Sequence, residues 1–256
     1  MKMKLIGLLA FTLAIFPMAF GTAEDLPSPE TIVDNYVKAI GGKDALASIK
    51  SSVTKGNLMI VAMGMSGSLT SYVAPPNGKS IMALDGLGEF LSGIKDGTPW
   101  SSNMMAGDQV LEGAEAKNAL QQADPQMWLH WQDYYPSAET GGEEAVGDAT
   151  AYKVVFSPEE GEAMTYWFDK ESGLIIQSFG PGPGGSATST ISDYRDVGGV
   201  LVAHKTVSEG AQGAVEITFE SVEHNVDIDA SVFDVPESIA ALMSEESEEV
   251  SDEKEE

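Results

Sequence analysis

The chain has 256 residues, with 40 acidic against 14 basic side chains, a formal net charge of −26 and no cysteine. Such a surface repels nucleic acid and anionic lipid headgroups, and a single arginine, Arg195, leaves no arginine cluster for phosphate recognition. Without cysteine there are neither disulfides nor thiol chemistry, and a chain of this length builds one sizeable core without them.

Residues 1–23 read as a signal peptide. Lys2 and Lys4 give a positive start, residues 5–20 form the apolar stretch, and Gly21, Thr22 and Ala23 put small residues at the cleavage position. Pro17 and the missing charged stop argue against a permanent anchor. No later stretch offers the ~20 apolar residues of a membrane span, so no integral span is expected after cleavage. The sequence therefore predicts an exported protein, periplasmic or secreted, whose mature chain starts at Glu24.

The mature start predicts a helix. Ser28 caps it, Pro29 suits its first turn, and Ile32, Val33, Tyr36, Val37 and Ile40 form one apolar stripe. Gly41 and Gly42 stop it, and a short helix over 43–49 follows. The period then changes to strand over 51–63, 65–74 and 80–94, with Gly86 and Gly88 marking a bulge or break in the third. A turn over Asp96–Trp100 leads into a fourth strand. Residues 113–134 predict one helix to Ala123 and a second after Asp124 and Pro125, crowded with aromatics. Strands return over 151–156, 163–169, 173–179, 187–195, 200–208 and 214–223.

About ten antiparallel strands in meander order curl or close. The expected fold class is α+β, mainly β: a curled antiparallel sheet or half-open β-barrel, with the N-terminal helix and a central helical lid on its concave face. One domain is expected over 24–243. From Ser244 the run is strongly acidic with almost no apolar residue, and a disordered tail is expected.

The stretch 57–67, Asn-Leu-Met-Ile-Val-Ala-Met-Gly-Met-Ser-Gly, has no polar face as a strand. Leu58, Ile60 and Ala62 point one way, and Met59, Val61 and Met63 the other, with Met65 continuing their row. Methionine is flexible and recurs at promiscuous apolar surfaces. Two readings stay open, a filled core and a cavity wall for a flexible apolar ligand. The cavity reading takes Met59, Val61, Met63, Met65, Met82, Leu84, Trp100, Met104, Trp128, Trp131, Tyr166 and Phe168 as ligand-binding residues.

No motif for catalysis stands out. Gly180, Gly182 and Gly185 formally fit a dinucleotide loop, but that loop needs a helix after it, and Ser186–Ser192 reads as strand. His130, His204 and His224 are isolated, with no paired spacing for a metal. Residues 225–229 lack the glycine and downstream glutamate of a calcium loop. No metal, no cofactor and no enzymatic activity are expected.

Five stretches, in order, carry a resemblance. Tyr36–Leu58 resembles the opening helix, double glycine and first strand of periplasmic proteins related to the outer-membrane lipoprotein carriers, the LolA-like group. Lys95–Trp100 is similar to its Asp-Gly turn before a tryptophan, and Tyr166–Ile175 to a strand, Asp-x-x-x-Gly turn and strand. Ser192–Lys205 is similar to its Asp-Tyr-Arg and Gly-Val stretch, and His224–Pro236 to its closing Phe-x-x-Pro. The resemblance implies a half-closed barrel, a helical lid and an apolar cavity for acyl chains. It implies a non-catalytic partner for a lipid, a lipoprotein acyl chain or other hydrophobic ligand, with lipoproteins or envelope proteins as further partners, in outer-membrane lipoprotein sorting. The alternative is an envelope structural or interaction module whose cavity its own side chains fill. Arg195, beside Asp193 and Asp196, reads as an ion-pair residue. N-terminal sequencing of the exported protein should return Glu24; Met1 retained in a membrane fraction would contradict the signal-peptide reading.

Overall fold

The protein is described by a computed structural model covering residues 26–182 and 185–252. The expected signal peptide, 1–23, and residues 253–256 lie outside the described residues. Helix α1 (Pro29–Ala39) starts where Ser28 Oγ accepts from the Thr31 amide at 3.3 Å, and it buries Ile32, Val33, Tyr36 and Val37. It ends on Gly41, whose φ of +131° no larger residue adopts easily. A Cβ there would meet the Gly199 carbonyl oxygen at 2.2 Å. That close approach lets the Leu201 amide donate to Ile40 O at 2.8 Å, which ties α1 to the sheet. Helix α2 (Lys43–Ala47) follows.

Thirteen strands then form one antiparallel sheet. The first six are β1 (Ser52–Ile60), β2 (Met65–Ala74), β3 (Asn77–Leu84), β4 (Gly88–Lys95), β5 (Thr98–Asn103) and β6 (Gly107–Val110). After helix α3 (Gly113–Gln122) come β7 (Ser137–Val146), β8 (Ala149–Ser157), β9 (Met164–Asp169), β10 (Ile175–Gly182), β11 (Gly185–Val197), β12 (Val200–Gly210) and β13 (Gly213–His224). Each half is a meander, and the halves join where β1 pairs with β13. The sheet is open, with β6 and β7 at its two edges. The mainly β, curled α+β fold expected from the sequence is the one observed.

The strand count exceeds ten for local reasons. The stretch 80–94 is two strands, β3 and β4, broken at Asp85–Leu87 with Gly86 at φ +81°. Strands β6 and β7 are edge strands whose polar, glycine-containing sequences, Gly-Asp-Gln-Val and Ser-Ala-Glu-Thr-Gly-Gly-Glu-Glu-Ala-Val, lack the apolar alternation that marks a strand. The stretch 51–63 ends as strand at Ile60, and Val61–Met63 coils into a 3-10 turn capped by Gly64 at φ +60°. Helix α4 (Glu237–Asp252) carries helical backbone into the acidic run that starts at Ser244. Glutamate is a good helix former and extends a helix already anchored by Ile239, which is fully buried.

The main core lies on the concave face of β8–β12. Phe156, Phe168, Val154 and Ile175 point inward there, and α1 lays its apolar stripe over them. Trp128 closes the cluster, edge-on to Tyr36, Tyr166, Phe156 and Phe168 at centroid distances of 5.2, 5.3, 6.0 and 6.1 Å. A second, smaller cover lies on the convex side of β3–β6. Trp100 folds over Gly93, where a Cβ would stand 3.0 Å from its ring. Lys79 Nζ, on that same face, donates to Asp234 O at 2.9 Å and holds the segment after Ala230–Phe233 against the strands.

Two truncations should therefore separate sharply. Phe156→Ala should cost ~3–5 kcal/mol in urea unfolding, since Phe156 is fully buried. Met63→Ala should change stability by less than ~0.5 kcal/mol, because Met63 is 62% exposed.

Candidate functional site

The crossing from β6 to β7 builds the roof of a groove. Pro125 follows α3, and Asp124 organises the turn after it: its carboxylate accepts from the Gln126 amide, from Tyr134 Oη at 2.8 Å and from His130 Nε2 at 2.6 Å. Gln126 Nε2 then donates to Ala47 O and Ile49 O, binding the roof to α2. His130, which the sequence leaves as an isolated residue, belongs to this clamp. Burial and the adjoining Asp124 carboxylate push the Tyr134 hydroxyl well above its ordinary range, so it remains a donor.

Beneath this roof lies a groove of about 560 Å³. One wall is apolar: Tyr36 and Ile40 from α1, Met127 and Trp128 from the roof, Tyr166, Ile191, Tyr194 and Leu201 from the sheet. The other wall is the inner face of β1–β3 and β13, with Leu69, Val73, Phe219 and Val222 set among Ser52, Thr54, Ser71, Ser80 and His224. Among the described residues, no Lys, Arg, Asp or Glu lines this groove. Burial pushes the Tyr36 and Tyr166 hydroxyls up, and Tyr194 Oη donates to Ile175 O at 2.7 Å, so these aromatics stay neutral. The groove continues under α3 into a space of about 400 Å³ that shares Ser71, Val73, Ser80, Gln122 and Ala123 with it.

The structure distributes the residues selected from the sequence among several places. Trp128 and Tyr166 line the groove. Phe168 and Trp131 lie in the aromatic core behind it. Met82 is half-buried on the inner face, directly opposite Leu69. Leu84 is buried at the end of β3, beside Gly67. Trp100 lies on the opposite, convex face and does not reach the groove. Met59, Val61, Met63 and Met104 are 48%, 53%, 62% and 76% exposed and line no part of it. The 3-10 turn at Val61–Met63 also ends the proposed methionine row: Met65 pairs with Ile60, which puts it on the face opposite Met59.

Sequence reasoning missed the hydroxyl-bearing wall. The alternation Leu69, Ser71, Val73 within β2 was the signal for it, but a curled sheet covered on both sides hides which face is inner. Other motifs resolve simply. Gly180, Gly182 and Gly185 end β10 and begin β11, with strand and not helix after them. Arg195 Nε donates to Asp193 Oδ1 at 3.0 Å, as an ion-pair residue. His204 is buried in β12, where Nδ1 donates to Val202 O at 2.8 Å. Among the described residues no helix is long and apolar enough to cross a membrane.

Solved structures of this architecture exist. A LolA superfamily protein from Nitrosomonas europaea superposes with a TM-score of 0.56 at 8% identity, covering 82% of this chain and 99% of that one. The fold is LolA-like. A DUF1329 family protein from Desulfovibrio piger gives 0.54 at 13% identity, with 80% of this chain and 96% of that one covered. A domain from Vibrio parahaemolyticus assigned to outer-membrane lipoprotein sorting gives 0.53 at 12% identity, with 80% and 95% covered. No protein-family model and no curated protein sequence matches the chain. The LolA-like half-barrel accounts for the geometry: an open sheet, helices on its concave side and a groove between them.

Both ring nitrogens of His224 are buried without a hydrogen-bond partner in the fold, and burial lowers its pKa from 6.5. The unfolded chain thus takes up a proton at a higher pH than the folded one. Stability from this group is present above 6.5 and is lost as pH falls below that value toward the folded pKa. His224→Gln should flatten that part of the melting-temperature profile; an unchanged slope would show that His224 titrates as in water.

Proposed function

We propose that the protein is an exported, non-catalytic binding protein of the cell envelope that holds a lipid, or the acyl chain of a lipoprotein, in the groove between sheet and helices. One observation carries this reading: in a chain of net charge −26, no charged side chain among the described residues lines a groove of about 560 Å³ walled by Trp128, Tyr166, Ile191 and Leu201. The size falls within the ~300–1,000 Å³ of small-molecule sites. Affinity would come from apolar burial, at ~25 cal/mol per Å² before ordering costs. The signal-type N-terminus and the LolA-like fold support a place in the envelope, and the domain assigned to lipoprotein sorting supports lipoproteins as partners.

A second reading, an envelope interaction module, draws on the apolar side chains exposed at the strand ends, Val61, Met63, Met104 and Met105. Uptake separates the two. The mature protein should bind an uncharged solvatochromic dye, and native mass spectrometry of protein purified from its own cells should show a bound lipid mass. Ile191→Trp and Val222→Trp should fill the groove and abolish dye uptake with little loss of stability, whereas overpacking a tight core costs ~1–3 kcal/mol. A clean ligand-free mass together with no dye uptake would leave the interaction module.

A further inference from the structure

The polar groups of the groove form a line. Thr54, Ser71, Ser80 and Ser92 stand directly opposite one another across β1–β4, and Ser101 continues the line onto β5. At the spacing of paired strands this row is ~20 Å long. It lies on the concave face: Thr54, Ser71 and Ser80 line the groove, and Ser80 and Ser92 line its continuation under α3. Ser52 and His224, paired across β1 and β13, stand beside it.

Three features of this wall point the same way. None of the hydroxyls of Thr54, Ser71, Ser80 and Ser92 makes a hydrogen bond within the described fold, and neither do the two buried ring nitrogens of His224. The His224 nitrogens are buried without partners, which is costly, while the hydroxyls of Thr54, Ser71 and Ser80 are half-buried and left uncommitted beside them, open to a ligand that enters the groove. Second, these groups each offer donors and acceptors. A hydroxyl does both, and a neutral imidazole has one of each; burial keeps His224 neutral. Third, among the described residues no charged side chain lines the groove of about 560 Å³ itself, and Lys79 and Glu115 line only its continuation under α3. A phosphate or carboxylate there would lose its water without gaining a counter-charge, and the field of so acidic a chain opposes it further.

Resting on the reading of the groove as a lipid site, we propose that it selects an uncharged, hydroxyl-bearing amphiphile. The polar head lies along Thr54, Ser71 and Ser80 beside His224, and the apolar chain lies against Trp128, Tyr166 and Leu201. The two walls thus divide the ligand by chemistry, and the absence of charge sets the selectivity.

The test uses two ligands that differ by one charged group, monooleoylglycerol and its phosphate ester, competing against the uncharged dye on the mature full-length protein. Monooleoylglycerol should bind at least about tenfold more tightly, the scale of one or two hydrogen bonds kept against an unpaired buried charge. Ser71→Ala with Ser80→Ala should weaken monooleoylglycerol about tenfold more than it weakens the dye. Both hydroxyls lack partners in the fold, so the variant should melt like the parent. His224→Phe should act in the same direction, and His224→Gln, which restores a donor and an acceptor, should recover most of the loss. Equal or tighter binding of the phosphate ester, or variants that bind monooleoylglycerol like the parent, would overturn the selectivity while dye uptake kept the lipid site. Variants that weaken dye and glyceride alike would overturn it too, by showing a change in groove shape. No binding of dye, glyceride or phosphate ester would overturn the lipid site itself.

Discussion

The pairing of β1 with β13 is the constraint from which the architecture follows. Nine residues of β1, from Ser52 to Ile60, lie antiparallel to the segment His224–Val215, with one irregularity at Lys55 and Gly56. This seam joins the first strand to the last in the middle of the sheet. Each half of the chain is a meander that starts or ends there, so β6 and β7 are forced to the two outer edges. The link between them, residues 111–136, must then cross the open mouth of the sheet. The lid is thus a consequence of connectivity, and Trp128 and Gln126 only fix where it rests.

The same topology divides the concave face. On β8–β12 the inward residues are large and aromatic, and α1 seals them into a core in which Phe156 touches Trp128, Trp131 and Tyr135. On β1–β3 the small and hydroxyl-bearing residues Thr54, Ser71, Gly78 and Ser80 share the inner face with Leu69, Val73 and Met82. Gly78 leaves room for Ala123, so that α3 sits close to the strands, a Cβ there standing 3.6 Å from that methyl. Large side chains fill the half beneath α1, and the smaller residues on the other half leave the groove open beneath the roof. The groove occupies the boundary, which is why one wall is aromatic and the other carries serines.

Much of this was legible in the sequence, and the reasons are local. Helix α1 is written in Ser28, Pro29 and an apolar stripe of period 3.6, each of which acts within one or two turns. The meander is written in short turns such as Asp96–Gly97 and Gly198–Gly199, whose positive φ angles require those residues. Trp128 and Tyr166 could be picked as groove residues because aromatics gather wherever apolar area is concentrated. Met59, Met63 and Trp100 have the chemistry of cavity residues and lie off this groove, because the face a strand residue occupies depends on where its strand starts and which neighbour it pairs with.

The sequence by itself determined the fold class, the helix at the start, the order of turns and the acidic character, because these depend on nearest neighbours and on composition. The tertiary structure alone decided which face of each strand is inner. One 3-10 turn at Val61–Met63 sets Met65 on the opposite face from Met59, and one register places Thr54, Ser71 and Ser80 in line. Residues far apart in the chain meet only through pairing across the sheet, so the groove's chemistry, apolar on one wall and hydroxyl-bearing on the other, emerges only when every strand has its neighbour.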